Sequence, residues 1–138
     1  AGTPFALRLD TEKAAAMAGA LAWEDGAAGI VTAEPGLFGD VVLARKDTPA
    51  SYHLAVTVDD HLQGVALVTR GEDLFAATHL HRLLQSLLGL DVPRYHHHPM
   101  LTNEAGQRLA KRDGGLTIQA LRDSGKSPTD VRRLAGFE

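Results

Sequence analysis

Leu80, Leu83, Leu84, Leu87 and Leu88 recur at i, i+3, i+4, i+7 and i+8, the spacing that lines one face of an α-helix. A helix with one apolar stripe must bury that stripe against a neighbouring layer, and the residues before it indicate which kind. DVVLARK (40–46), YHLAVTV (52–58) and GVALVTR (64–70) are β-branched, mostly apolar runs separated by turn residues, and they read as adjacent, largely buried strands. In the second run Tyr52, Leu54, Val56 and Val58 would share a face; in the third, Arg70 stands where the strand ends. Thr78 suits the N-cap of the leucine helix and Gly89 its C′ position. Strands followed by a long amphipathic helix imply an α/β sheet.

The flanking segments extend this pattern. Residues 5–9 form a short strand candidate. Residues 11–22 are alanine-rich and could be helical. VPRYHHHPML (92–101) is extended, as its two prolines require. Two short helices close the chain, the second opening on Ser127-Pro128-Thr129-Asp130, a capping-box-like start with proline at the first helical position.

Composition narrows the class. A formal charge of -3 and 44% hydrophobic residues over 138 positions describe one soluble domain with a single core, and argue against general electrostatic binding to nucleic acid or anionic membrane. The absence of cysteine excludes disulfides and thiolate metal sites and fits a reducing cytosol, so a cytoplasmic location is expected. No apolar run reaches the roughly 18 residues of a membrane span. The opening AGTPFALRLD has no methionine and passes at once into a strand-like FALRL, which reads as a fragment beginning mid-domain.

Four features carry chemistry. The triple histidine 96–98 suggests a metal, but on a strand His97 points away from His96 and His98, and His79 and His81 at i, i+2 do not share a helix face. Surface or packed histidines are expected there instead, and no metal site. Asp59-Asp60, directly after a strand, stands where α/β folds place ligand loops, although aspartate also suits a plain turn. Arg70 at a strand end, with Tyr52 starting the neighbouring strand, can grip a carboxylate with two parallel hydrogen bonds and a hydroxyl contact; pairing with Glu72 or Asp73 is the structural alternative. RLAKRDGG (108–115) is a basic turn that is either solvated or built to hold polyphosphate.

YHLAVTVDDHLQGV, the Arg70-Gly71-Glu72-Asp73 turn, the leucine helix and PRYHHHPMLTNEAGQRLAKRD together resemble the catalytic domain of class I glutamyl-tRNA synthetases. The order and spacing agree from about Asp40 to Gly115, with RLAKR in the place of the family's K-M-S-K-S-type loop. PFALRLD and GGLTIQALRDSGKSPTDVRRLAGF resemble the branch of glutamyl-queuosine tRNA(Asp) synthetases, which lack an anticodon-binding domain.

The resemblance implies the C-terminal half of a Rossmann-type catalytic domain over residues 1–102, and the phosphate loop with a small helical appendage over 103–138. It also makes a loop or short strand pair around Leu21–Glu24 an equal alternative to helix there. It implies a ligase that forms glutamyl-adenylate from glutamate and ATP, with Mg, and transfers glutamate to queuosine in the anticodon of tRNA(Asp). Tyr52 and Arg70 would hold glutamate, the backbone near Met100 and Leu101 would lie against adenine, and Arg108 and Lys111 would meet the phosphates. Lys111 is the expected catalytic residue, stabilising charge as pyrophosphate leaves. Two positions depart from the loop pattern: Arg108 replaces the first lysine, and Ala110 replaces the serine. No H-I-G-H motif and no zinc module occur in the chain, so the fragment is expected to be inactive alone. A strand edge among residues 40–70 is expected to promote self-association. The alternatives are a fragment of a discriminating glutamyl-tRNA synthetase and a non-catalytic binding module of the same fold.

Overall fold

A computed structural model describes residues 5–100, 102 and 117–137. They fall into a first unit ending at His98 and a second beginning at Pro99. In the first unit β1 (Ala6–Leu9) leads into α1 (Thr11–Ala18), then β2 (Ala22–Asp25), β3 (Gly29–Thr32) and β4 (Val41–Arg45). α2 (Tyr52–Leu62), β5 (Leu67–Gly71), α3 (Phe75–Leu88) and β6 (Arg94–His98) follow. The second unit holds α4 (Ile118–Asp123) and α5 (Pro128–Leu134).

The main sheet has the strand order β3-β2-β6-β5. β3 is antiparallel to β2, whereas β2, β6 and β5 run parallel, as crossover connections through helices require. β1 and β4 form a separate antiparallel pair. The helix read over residues 11–22 and the strand pair read around Leu21–Glu24 are both realised in succession, a helix capped by the Asp10 side chain and then the β2–β3 strand pair.

The 40–70 region departs from expectation. Residues 52–58 are not a strand but the start of α2, so Tyr52, Leu54, Val56 and Val58 do not share a face. Ser51 accepts a hydrogen bond from the Leu54 backbone N–H, and this cap starts a helix whose β-branched residues cost only a few tenths of a kcal/mol each. Packing of α2 against α3 outweighs that cost. The strand neighbour of β5 is therefore β6, with Arg70 opposite His97 in register. β4 pairs with β1 instead of β5, and both β4 and β5 are only half-buried.

α3 starts one turn earlier than its sequence pattern suggests, at Phe75 after a short 3-10 turn over Glu72–Leu74. Thr78 thus lies inside the helix, and its hydroxyl is used elsewhere. Leu80, Leu83 and Leu84 are buried in the core with Tyr95, Trp23 and Ala77. Leu87 is half-buried and Leu88 is exposed, so the stripe faces the core only over its first two turns. Gly89 ends the helix in the left-handed region at φ 66°, a conformation glycine takes without a Cβ penalty. In the second unit, α5 carries the expected capping box between Ser127 and Asp130 with Pro128 in its first turn.

Candidate functional site

The carboxyl ends of the three parallel strands bring Asp25, Arg70 and His97 together. This is the end of an open α/β sheet where ligands bind. Strand alternation in β6 buries Tyr95 and His97 and leaves Arg94, His96 and His98 at the surface. α3 covers the buried face: the Gln85 amide donates to the Tyr95 hydroxyl at 2.9 Å.

Arg70 is the centre of the cluster. Its guanidinium lies over the Tyr95 ring, 5.2 Å from the centroid, a favourable cation–π position. Nε donates to His97 Nε2 at 3.0 Å, Nη2 to Thr78 Oγ1 at 2.6 Å, and Nη1 to His81 Nδ1 at 3.2 Å. A guanidinium has five N–H donors, so these contacts leave two, one on each terminal nitrogen. That pair is what a carboxylate takes bidentately. Arg70 is half-buried, and a charge so placed needs an anionic or strongly accepting partner.

Two relays hold the guanidinium. On one side His97 Nδ1 lies 2.6 Å from Asp25 Oδ2, and Asp25 Oδ1 accepts from the backbone N–H groups of Ala27 and Ala28 at 2.9 and 3.0 Å. Burial works to raise the Asp25 carboxyl, but the His97 hydrogen bond and the two backbone donors hold it below its usual range. On the other side His81 Nε2 lies 3.0 Å from His53 Nδ1. Burial, then the charge of Arg70, push His81 down to about 3, which makes it a neutral imidazole at physiological pH. Burial and Arg70 also lower His53.

Tyr52 begins α2 and is exposed at 52%. Its ring centroid is 6.0 Å from that of His81 and 5.5 Å from that of His53. Tyr52 and Arg70 therefore flank the same imidazole, on a helix and a strand instead of two neighbouring strands. Asp59 and Asp60 belong to the last turns of α2 rather than to a loop after a strand. Asp60 is raised by burial and by Asp59, with Arg70 opposing. Met100 follows β6 in an irregular segment. Leu101, Arg108, Ala110 and Lys111 lie outside the described residues. Among the described residues no group of three or more His, Asp or Glu side chains could hold a metal ion, and no helix is long and apolar enough to cross a membrane.

The histidines on α3 use different sides of the helix, as their i, i+2 spacing requires. His81 faces Arg70, whereas His79 packs edge-on against Trp23 with ring centroids 4.7 Å apart and accepts from the Glu34 backbone N–H at 2.8 Å. Sequence reasoning did not identify Asp25, His53, Thr78, His81 or His97 as site residues. For His97 the signal was present in the alternation of β6, which sends it inward alone among the three histidines. An open depression of about 470 Å³, lined by Asp25, Ala27, Ala28, Glu72, Phe75 and His97, adjoins the Asp25–His97 pair.

Known proteins resemble the chain in sequence and in fold. The chain is 58% identical over 99 residues to a glutamyl-Q tRNA(Asp) synthetase of Rhodobacter capsulatus, covering 72% of this chain and 36% of that protein. It is 38% identical over 114 residues to glutamate–tRNA ligase 2 of Nitratiruptor sp., covering 83% of this chain and 25% of that protein. The chain thus spans between a quarter and just over a third of the length of these relatives. The crystal structure of the glutamate-tRNA synthetase from Elizabethkingia anophelis superposes with a TM-score of 0.59 and 32% identity, over 70% of this chain and 20% of that one. The model of the tRNA synthetases class I (E and Q), catalytic domain, matches residues 1–135, and with these relatives it establishes that the chain belongs to this family.

Proposed function

We propose that this chain forms the C-terminal half of the catalytic domain of a glutamate-activating ligase that makes glutamyl-adenylate and transfers glutamate to queuosine in the anticodon of tRNA(Asp). The observation that carries this reading is the Arg70 guanidinium, oriented by three side chains with two N–H donors left over. Such a fork suits a glutamate carboxylate, and Tyr52 stands across His81 to add a contact from its hydroxyl. In adenylation a substrate carboxylate oxygen attacks the α-phosphate of ATP, the bond to the β-phosphate breaks, and pyrophosphate leaves. The protein's part is positioning and charge stabilisation.

Residues 1–102 supply the glutamate side in this reading, and residues 103–138 the phosphate loop and terminal helices. Met100 and Leu101 lie along adenine, and Arg108 and Lys111 meet the phosphates together with Mg. The chain contains no H-I-G-H motif, so the 138 residues by themselves do not catalyse glutamate-dependent exchange. Transfer to queuosine-bearing tRNA(Asp), rather than to the acceptor end of a glutamate tRNA, is favoured by the higher identity to the glutamyl-Q tRNA(Asp) synthetases than to the glutamate–tRNA ligases.

The test uses a polypeptide that joins this chain to an H-I-G-H segment. Radiolabelled glutamate is offered with ATP to tRNA(Asp) with and without queuosine, and to glutamate tRNA. Label on the queuosine-bearing tRNA alone is expected; label on the glutamate tRNA would replace this reading with the glutamyl-tRNA synthetase one. Arg70→Lys, which keeps the charge but not the fork, is expected to raise the KM for glutamate about tenfold or more, as loss of one charge-assisted hydrogen bond would.

A further inference from the structure

The five donors of Arg70 fix the direction of every hydrogen bond around it. An arginine only donates, so His97 must present a lone pair at Nε2 and carry its proton at Nδ1, facing Asp25. His81 must likewise present a lone pair at Nδ1. A neutral imidazole then holds its proton at Nε2 and donates it to His53 Nδ1, which leaves His53 with its proton on Nε2. Thr78 accepts from Arg70 at Oγ1, so its own proton is available to His97 Nε2 at 3.3 Å. One set of tautomers satisfies the whole cluster.

The anchor of this order is Asp25. Both its oxygens are engaged as acceptors, Oδ1 by Ala27 and Ala28 and Oδ2 by His97. An asparagine at this position must keep its carbonyl toward the two backbone N–H groups. Its NH2 would then face His97 Nδ1, which could no longer donate. The His97 proton would move to Nε2 and oppose the Arg70 Nε–H, donor against donor.

We propose that Asp25 and His97 are positioning residues for carboxylate recognition, setting the tautomer of His97 so that Arg70 is held with its two remaining N–H groups toward the substrate. The proposal rests on the reading of Arg70 as the glutamate-carboxylate ligand. Its tautomer readout does not, so the two fail separately. Asp25 acts through His97, and His97 through Arg70. The position also accounts for a buried carboxylate and imidazole, 1% and 2% exposed in their side chains, beside an arginine that an acid could neutralise directly. A direct Asp–Arg pair would fill the fork that the ligand needs.

The experiment is long-range proton–nitrogen NMR of the histidine rings in this chain, with glutamate titrated into the same samples. The wild type is expected to show His97 protonated at Nδ1 and unprotonated at Nε2. Asp25→Asn is expected to move the proton to Nε2 and to weaken glutamate binding roughly 10- to 100-fold, the scale of one hydrogen bond to a charged group. His97→Gln supplies an amide oxygen to Arg70 whatever its neighbour, so in that background Asp25→Asn is expected to change the affinity little. A wild-type His97 protonated at Nε2, or losses from the two substitutions that simply multiply, would overturn the proposal. Circular dichroism separates these outcomes from unfolding. No glutamate binding by the wild type, with the expected tautomer present, would overturn the glutamate assignment and leave the tautomer order standing.

Discussion

Gly26 sits directly beneath the His96 imidazole: a Cβ built on Gly26 would stand 2.7 Å from His96 Nδ1. The approach is set by the sheet, because the Gly26 N–H donates to the Tyr95 carbonyl at 2.8 Å and this bond holds the end of β2 against β6. Gly26 also follows Asp25, so its backbone helps to place the carboxylate.

Gly26→Ala is expected to destabilise the chain by up to about 1 kcal/mol, because the opposing ring belongs to the surface residue His96 and can swing aside. Urea unfolding monitored by Trp23 fluorescence checks the value. Adding His96→Ala, which removes the opposing ring, is expected to recover most of the loss. If the double variant is as unstable as Gly26→Ala, the close contact is not the cause.

Acid should weaken the fold well above the carboxylate range. His81 is neutral in the folded chain down to about pH 3, but unfolded histidine takes up a proton near its ordinary pKa of about 6.5. Between these values the unfolded state binds one more proton, so stability falls with pH by about 1.4 kcal/mol per unit. His53 and His79 are also lowered by burial and act in the same direction. Asp25, held below its usual range, adds a loss only as pH falls below about 4. Asp60, raised by burial, works against these losses. Unfolding free energies at pH 7.5 and 5 should differ by at least about 2 kcal/mol, and His81→Gln should flatten the profile.

The leucine stripe gives a paired test. Leu83 is fully buried and Leu88 is 49% exposed, although both satisfy the same sequence pattern. Leu83→Ala is expected to cost about 2–5 kcal/mol, and Leu88→Ala less than about 1 kcal/mol. Equal losses in urea midpoints would contradict the placement of α3.

The elements that were legible in the sequence are those in which local preference and tertiary packing agree. The strands ending at Leu9 and Arg45, the leucine helix and the Ser127 capping box all belong to this group. Residues 52–62 were misread because Tyr, Val and Thr favour strands on average, while the competing signal, Ser51 three residues before Leu54, is a single cap. Arg70 and Tyr52 were singled out from sequence, and the fold brings both against His81. Their supports were not, because Asp25, His97, His81 and His53 are brought together by strand order and helix packing, which no local spacing encodes.

The main sheet ends in β3 on one side and β5 on the other, and no described strand covers either outer edge. Uncovered edges pair with other chains. Self-association of the 138-residue chain is expected, seen as an apparent mass that rises with concentration in light scattering. A proline replacing Val68 of β5 should reduce it if β5 is the edge that pairs, and a constant monomer mass would refute the expectation.

The Asp25–His97 pair joins positions 72 residues apart in the chain. Loops of this length close slowly relative to local helices and hairpins. The Arg70–His97–Asp25 relay therefore matures only after β2, β5 and β6 have all been seated side by side, so a partly folded intermediate would carry Arg70 without its orientation. Competence to bind and completion of the sheet become one event, and a ligand that selects the ordered arginine draws the folding equilibrium of the entire unit toward the native state.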